Sequence, residues 1–462
     1  MESENPLINA ARQNDTRTYN DAVTSSTSLN SVVDLFFVSG ASRTMPETDI
    51  YSMLQAAWVE NPLLTLKLIF WAGDIRGGQG ERRFFRVALR WLDEKYPDTL
   101  GINLALVPEF NRWDSLFNLV HDNVLDKVFN ALIHDKNGLC AKWMPRKKQY
   151  GNFGARFRRA FGINPKQYRK MLVELSKTVE QQMCAKEWSK IEYGHVPSVA
   201  FNKYRKAFAR NDNERFSMFL TRVEKGEETI HADAIFPYQI YQSYKTGADE
   251  RSINLQWKAL PDYFLESDER ILPICDVSGS MSGLPLDISV SLGVYLSERN
   301  KGLFKDAFVT FSGTPKMEYL KGTLTQRMDQ LQNAHWEMNT NLSAAFRLIL
   351  KSAIDNKITQ DDMPTMLLVI SDMEFDSCAE LTNFEKVKAL YADAGYKLPK
   401  LVFWNVNGRR GNVPISYNTK GVALVSGSSP SIVKGILGGK NFTPVGIMLD
   451  VLNTSRYDRV AL

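Results

Sequence analysis

The stretch Ile271 to Gly283, ILPICDVSGSMSG, restricts the possible folds of this chain more than any other. An apolar run (Ile271, Leu272, Ile274) stops at Asp276 and is followed by Ser278, Gly279 and Ser280, which predicts a buried strand delivering an acid and two hydroxyls into a tight loop. Helix-patterned sequence then runs from Leu284 to Leu296. Carboxylate and hydroxyl oxygens crowded at the carboxyl end of a strand form a hard-oxygen cradle, suited to Mg²⁺ or Mn²⁺ and poorly matched to zinc.

The rest of the second half repeats the pattern. Short apolar runs, FVTF (308–311), MLLVIS (366–371), LVFW (401–404) and VALV (422–425), alternate with helical stretches such as LSAAFRLILKSAI and FEKVKALYADAG. That alternation predicts a parallel, doubly wound α/β unit whose ligands collect beyond the strands' carboxyl ends. Thr340, just before a helix, and Asp372, directly after MLLVIS, are expected to join Asp276, Ser278 and Ser280 there. Two carboxylates and three neutral hydroxyls would leave a divalent ion electrophilic, with a position open to water or an incoming acidic group. No general base stands beside the set, so binding is expected rather than hydrolysis and the protein is read as a non-enzyme. Glu374 and Asp376 are read as supporting or surface groups; Asp276 alone would be better explained as a satisfied buried acid at a strand end.

The first half has a different period. Residues 1–31, rich in Asn, Ser and Thr, read as a loosely held arm. From residue 32 to 265 helix follows helix without strand-like alternation; in one stretch Leu54, Trp58, Leu63, Leu66, Ile69 and Phe70 recur at helical spacing, interrupted by Pro62. An all-helical unit of stacked helix pairs, 32–265, is therefore expected to precede an α/β unit, 266–462. Inside the helical unit the loop IRGGQGERR places Arg76, Arg82 and Arg83 among three glycines. It reads either as a phosphate-contacting loop or as a glycine-capped helix junction; the strand and Lys-Ser/Thr of a nucleotide-binding loop are missing.

A second basic feature is longer. From Lys136 to Val173 there are eleven Lys and Arg and no Asp or Glu: Lys136, Lys142, Arg146, Lys147, Lys148, Arg156, Arg158, Arg159, Lys166, Arg169 and Lys170. Trp143, Tyr150, Phe153, Phe157, Phe161 and Tyr168 are interleaved. Cations that neutralise phosphates, with aromatic planes for unpaired bases, point to RNA or single-stranded nucleic acid. The competing reading is a solvated basic face whose aromatics are core, which the i, i+4, i+8 spacing of Phe153, Phe157 and Phe161 allows. Lys203, Arg205, Lys206, Arg210 and Arg215 form a further cluster with acids interspersed.

Composition closes off other classes. At 462 residues, 44% of them hydrophobic, the chain can fill more than one core. A net charge of +5 is mild overall, so an anionic partner must meet local patches. Four dispersed cysteines, Cys140, Cys184, Cys275 and Cys378, form neither a disulfide framework nor a CxxC site, which favours a reducing, cytoplasmic setting. The first residues contain no secretory apolar region and no run of 18 apolar residues occurs, so membrane insertion is not expected.

The set Asp276-x-Ser278-x-Ser280, Thr340 and Asp372 resembles the metal-ion-dependent adhesion site of von Willebrand factor A domains. Upstream, DLFFVSGASR, DIRGGQGERRFF, FNRWDSL, AKWMPRK and VPSVAFNKYRKAFARND resemble the helical half of Ro autoantigen (TROVE) proteins and a related plant and viral group. The combined resemblance covers roughly residues 30–460 and implies a HEAT-like helical ring or arc joined to an A domain. It implies a ribonucleoprotein that binds small noncoding, structured or misfolded RNA, with Mg²⁺ (or Mn²⁺) held by Asp276, Ser278, Ser280, Thr340 and Asp372. An alternative is a protein-interaction scaffold whose metal captures a partner's Asp or Glu; a metal-dependent phosphoesterase is a third, lacking an evident acid/base residue.

Overall fold

A computed structural model describes residues 15–18, 23–150, 152–264, 267–311, 314–334, 342–374, 384–439 and 441–462. Between Ser31 and Lys258 the described residues form helices and turns with no strand among them. Pro62 has the effect its ring demands: the chain breaks at Asn61 into separate helices, Glu47–Glu60 and Pro62–Gly73. The Asn61 side chain caps the second by accepting from the Leu64 N–H at 3.0 Å. Both pack against Ser31–Ser39, and against Arg82–Lys95, which buries Phe84, Phe85, Val87, Leu89, Trp91 and Leu92. Among the described residues, no helix is long and apolar enough to cross a membrane.

The second half is a six-stranded sheet of order β5-β4-β3-β6-β7-β8, made of β3 (Ile271–Cys275), β4 (Ala307–Thr310), β5 (Met317–Tyr319), β6 (Met366–Ser371), β7 (Lys400–Asn405) and β8 (Val422–Ser426). Five strands are parallel; β5 turns back antiparallel on β4 and corrects the expectation of a wholly parallel sheet. Such a short strand pairs locally without a crossover, and its residues lie at the half-wet edge, where a signal from apolar runs is absent. The central strands β3 and β6 are buried along their whole length, as continuous apolar runs covered on both faces should be.

One hydrophobic core joins the two halves, running from Val32 through the sheet to Val460. Helix Ser31–Ser39 lies on β8, at a spot where only glycine fits. A Cβ on Gly40 would sit 2.6 Å from the Ser426 carbonyl oxygen, and the Gly40 N–H instead donates to Ser426 Oγ at 3.1 Å. At the other end of the helical half, Pro237–Lys245 packs on helix Leu284–Arg299, which is buried from Asp287 to Ser297. Polar bonds tie this second contact: Gln242 and Lys245 each donate to Asp287 at 2.8 Å, Tyr244 to Asp329 at 2.7 Å, and Trp257 to Glu298 at 2.7 Å. A smaller second core gathers residues from Ile191 to Ile230 with Leu255.

The described part of the N-terminal arm is not loose. β1 (Thr16–Arg17) pairs with β2 (Val23–Thr24), Ser25 bridges Val413, and Thr24, Ser25 and Ser28 are buried. The Asn/Ser/Thr composition that reads as disorder supplies here the hydroxyls and backbone groups for a strap across the 412–417 loop.

Candidate functional site: an acidic centre on the sheet and a basic helical face

Register brings the two aspartates together. Cys275 is opposite Ile370 in the parallel β3–β6 ladder, and the Asp276 N–H continues it to the Ile370 carbonyl at 3.0 Å, so Asp276 leaves β3 beside Ser371 and one residue short of Asp372 on the adjacent strand. Both are buried. Asp276 Oδ1 accepts from the Ser278 N–H at 2.9 Å and Oδ2 from Ser371 Oγ at 2.7 Å, while Ser371 Oγ itself accepts from the Met373 N–H at 3.1 Å. Ser278 and Ser280 hydroxyls lie 3.1 Å apart, and Ser280 is exposed at the lip.

Burial, and then the neighbouring Asp372 charge, push the Asp276 carboxyl up to about 6, against the bonds from Ser278 and Ser371. Asp372 is raised as well, first by burial; the Glu374 charge adds to the rise, while the Glu374 N–H, Arg409 and Ser280 oppose it. Among the described residues Asp372 Oδ2 is buried with no hydrogen-bond partner. An orphaned carboxylate oxygen beside a second buried carboxylate, with two hydroxyls alongside, is a donor set that fits a hard divalent cation. Among the described residues no three His, Cys, Asp or Glu side chains converge on one point, and the donors described there are two carboxylates with the hydroxyls beside them. Thr340 and Asp376 lie outside the described residues.

Sequence reasoning undervalued the next shell. Glu374 is buried, and its Oε1 accepts from Arg409 Nη1 at 3.0 Å and Asn412 Nδ2 at 3.3 Å. Nothing in the local pattern marks Arg409 and Asn412, which come from the loop between β7 and β8; only the proximity of Glu374 to Asp372 in sequence hinted at this network.

The glycine loop belongs to the helix junction. Gly78 and Gly80 N–H groups donate to the Asp74 carbonyl at 3.2 and 2.9 Å, Gln79 to Trp71 at 3.2 Å and Glu81 to Ala72 at 2.8 Å, so the backbone donors expected for phosphate are already engaged. A Cβ on Gly78 would lie 1.8 Å from the Trp71 oxygen, which accounts for glycine there. Arg83 donates to the Ser42 carbonyl at 3.0 Å and is withdrawn from the phosphate-contacting set. Arg76 and Arg82 remain exposed, Arg76 within 3.5 Å of Asp233.

The long basic stretch divides by residue type. Lys136, Arg146, Lys147, Lys148, Arg159, Lys166, Arg169 and Lys170 are exposed, and Lys142, Arg156 and Arg158 half-buried. Among the described residues, one ion pair involves these cations, Lys170 with Glu174 at 3.7 Å. The aromatics face the other way: Phe153, Phe157 and Tyr168 are core, Phe161 stacks on Phe129 at 4.1 Å, and the Arg112 guanidinium covers Trp143 at 3.6 Å. The expectation that these rings stack on bases is therefore corrected; helical spacing directed them inward. In the further cluster Lys203, Lys206 and Arg210 are exposed, but Arg205 is buried and Arg215 is bonded to the Trp188 and Ile191 carbonyls at 2.8 Å.

Comparison with known proteins gives two family matches, one to each half of the chain. Residues 270–451 match a family described as a domain of unknown function, DUF7788, and residues 18–127 and 155–268 match another, DUF2828. A protein of Acanthamoeba polyphaga mimivirus, the uncharacterized protein L728, is 26% identical over 490 residues, spanning 92% of this chain and 85% of the viral protein.

Proposed function

We propose that this chain is a non-enzymatic RNA-binding protein of Ro type, in which a HEAT-like helical ring or arc is joined to a von Willebrand factor A-like unit. The observation that carries the reading is the row of eleven cations from Lys136 to Lys170, eight of them exposed and one in an ion pair among the described residues. Single-sign surface charge without ion pairs is the footprint of a phosphate partner, here read through the backbone of structured or misfolded RNA rather than by base stacking. Both ends of the helical half packing on one α/β unit supports the ring or arc. In the A-like unit Asp276, Asp372, Ser278 and Ser280 would hold Mg²⁺ or Mn²⁺, with Thr340 as a further hydroxyl. The ion would supply an electrophilic point for an acidic group, while Ser371 and the Ser278 N–H orient Asp276.

Salt tests the RNA reading. For the full chain on a structured RNA, log K is expected to fall linearly with log salt, and reversing Lys147, Lys148, Arg169 and Lys170 to Glu to flatten that slope by about 3–4. An unchanged slope would overturn it. A second reading, a scaffold that captures a partner's carboxylate, is favoured by the exposed Ser280 beside the orphaned Asp372 oxygen. Loss of protein partners but retention of RNA on chelation with EDTA would select it.

A further inference from the structure

We propose that Asn412, held in orientation by Thr24 of the N-terminal strap, positions the loop that carries Asp372, so that a segment from the far end of the chain sets the affinity of the metal centre. The inference rests on the metal reading above.

The loop after β6 needs a clamp. Met373 sits at φ 64°, in the left-handed region, which costs a residue with a Cβ about 1–2 kcal/mol and persists only where surroundings enforce it. Through that turn the Met373 N–H reaches Ser371 Oγ and the Glu374 N–H reaches Asp372 Oδ1 at 3.2 Å, so its geometry aims both aspartates. The clamp is Asn412: its Nδ2 donates to the Met373 carbonyl at 2.8 Å and to Glu374 Oε1 at 3.3 Å. Its Oδ1 accepts from Thr24 Oγ1 at 3.2 Å, the one hydroxyl proton being shared with the Val413 carbonyl at the same distance. With two acceptors on one side and a hydroxyl donor on the other, one amide orientation satisfies the network.

Thr24 is itself fixed. Ser25 and Val413 exchange backbone bonds of 3.1 and 2.9 Å, the Tyr417 N–H donates to the Ser28 carbonyl at 2.9 Å, and Asp34 Oδ1 accepts from the Ser28 N–H at 2.7 Å. The same network restrains Glu374. Asn412 and Arg409 both bind its Oε1, which fixes the orientation of that carboxylate. Outer groups of this kind tune metal affinity by about 10–100-fold.

The test uses the full chain and Mn²⁺, with binding followed by the free-ion electron paramagnetic resonance signal and melting followed in EDTA. Asn412→Ala is expected to weaken Mn²⁺ binding about 10–100-fold. In metal-free protein it should also speed amide exchange at Met373 and Glu374. Thr24→Val, which keeps the shape and removes the hydroxyl, is expected to weaken binding less but in the same direction, and serves if the alanine variant does not fold. Asp372→Asn should abolish binding. If the native chain binds Mn²⁺ and both clamp variants match it, the clamp is overturned while the metal centre stands; if the native chain binds none, the metal reading falls and the clamp with it.

Discussion

Asp114 and Asp372 are both buried, and their surroundings treat them in opposite ways. Asp114 receives Arg112 Nε at 2.9 Å, Arg86 Nη2 at 2.8 Å and the Tyr150 hydroxyl at 2.8 Å, whereas Asp372 Oδ2 has no partner among the described residues. Burial opposes ionisation of Asp114, but the Arg112 bond and the Arg112 and Arg86 charges outweigh it and hold the carboxyl below its ordinary 3.8. A depressed folded pKa contributes stability that is present above 3.8 and lost as pH falls through the folded value. Asp114→Asn is therefore expected to cost on the order of 3 kcal/mol at neutral pH, because two part-buried guanidiniums lose their counter-charge. In urea unfolding the gap to the native chain should close as the solution is acidified below the carboxylate range. A satisfied acid of this kind is structural; an unsatisfied one marks a site.

At the level of elements, helices Ser198–Asn211 and Glu250–Lys258 bury polar side chains beside cores that are apolar. Gln256 Nε2 donates to the Ser198 carbonyl at 2.9 Å, yet Gln256 Oε1, Asn202 Oδ1 and both terminal nitrogens of Arg205 are buried without partners among the described residues. Arg205 is 1% exposed, and burial lowers its pKa to about 10. The Asp249 carboxylate, across the seam, is occupied in capping Ser252. Replacing a buried unpaired charge by an apolar chain of similar length usually stabilises, so Arg205→Met is expected to raise the unfolding free energy by about 1–3 kcal/mol in urea titration. A loss of stability would show that water or an anion satisfies the guanidinium.

For the whole molecule, the shared core matters more than the boundary in sequence. Helix Leu284–Arg299 has the sheet on one side and Pro237–Lys245 on the other, and β8 is covered by Ser31–Ser39. Residues 266–462 expressed alone would bare both apolar contacts and are expected to bind the dye ANS or self-associate, while the full chain does neither. Light scattering and dye fluorescence compare the two. Equal behaviour would mean that the halves fold independently.

The strand-loop-helix at Ile271–Gly283, the break at Pro62 and the alternation of the second half were legible in the sequence because each rests on local chemistry: side-chain period, ring closure, and acids at the ends of apolar runs. The nearness of Asp276 to Asp372 was inferred from two such strand ends; the parallel register sets Asp276 beside Ser371, the residue before Asp372. What only tertiary structure decided is what lies opposite: that the 75–83 loop is a junction, that the rings between Phe153 and Tyr168 point inward, and that a Ser/Thr-rich N-terminus becomes a strap reaching Asn412. Those outcomes depend on partners hundreds of residues away, and a hydroxyl or an amide carries no sign in its own neighbourhood of which distant group will satisfy it.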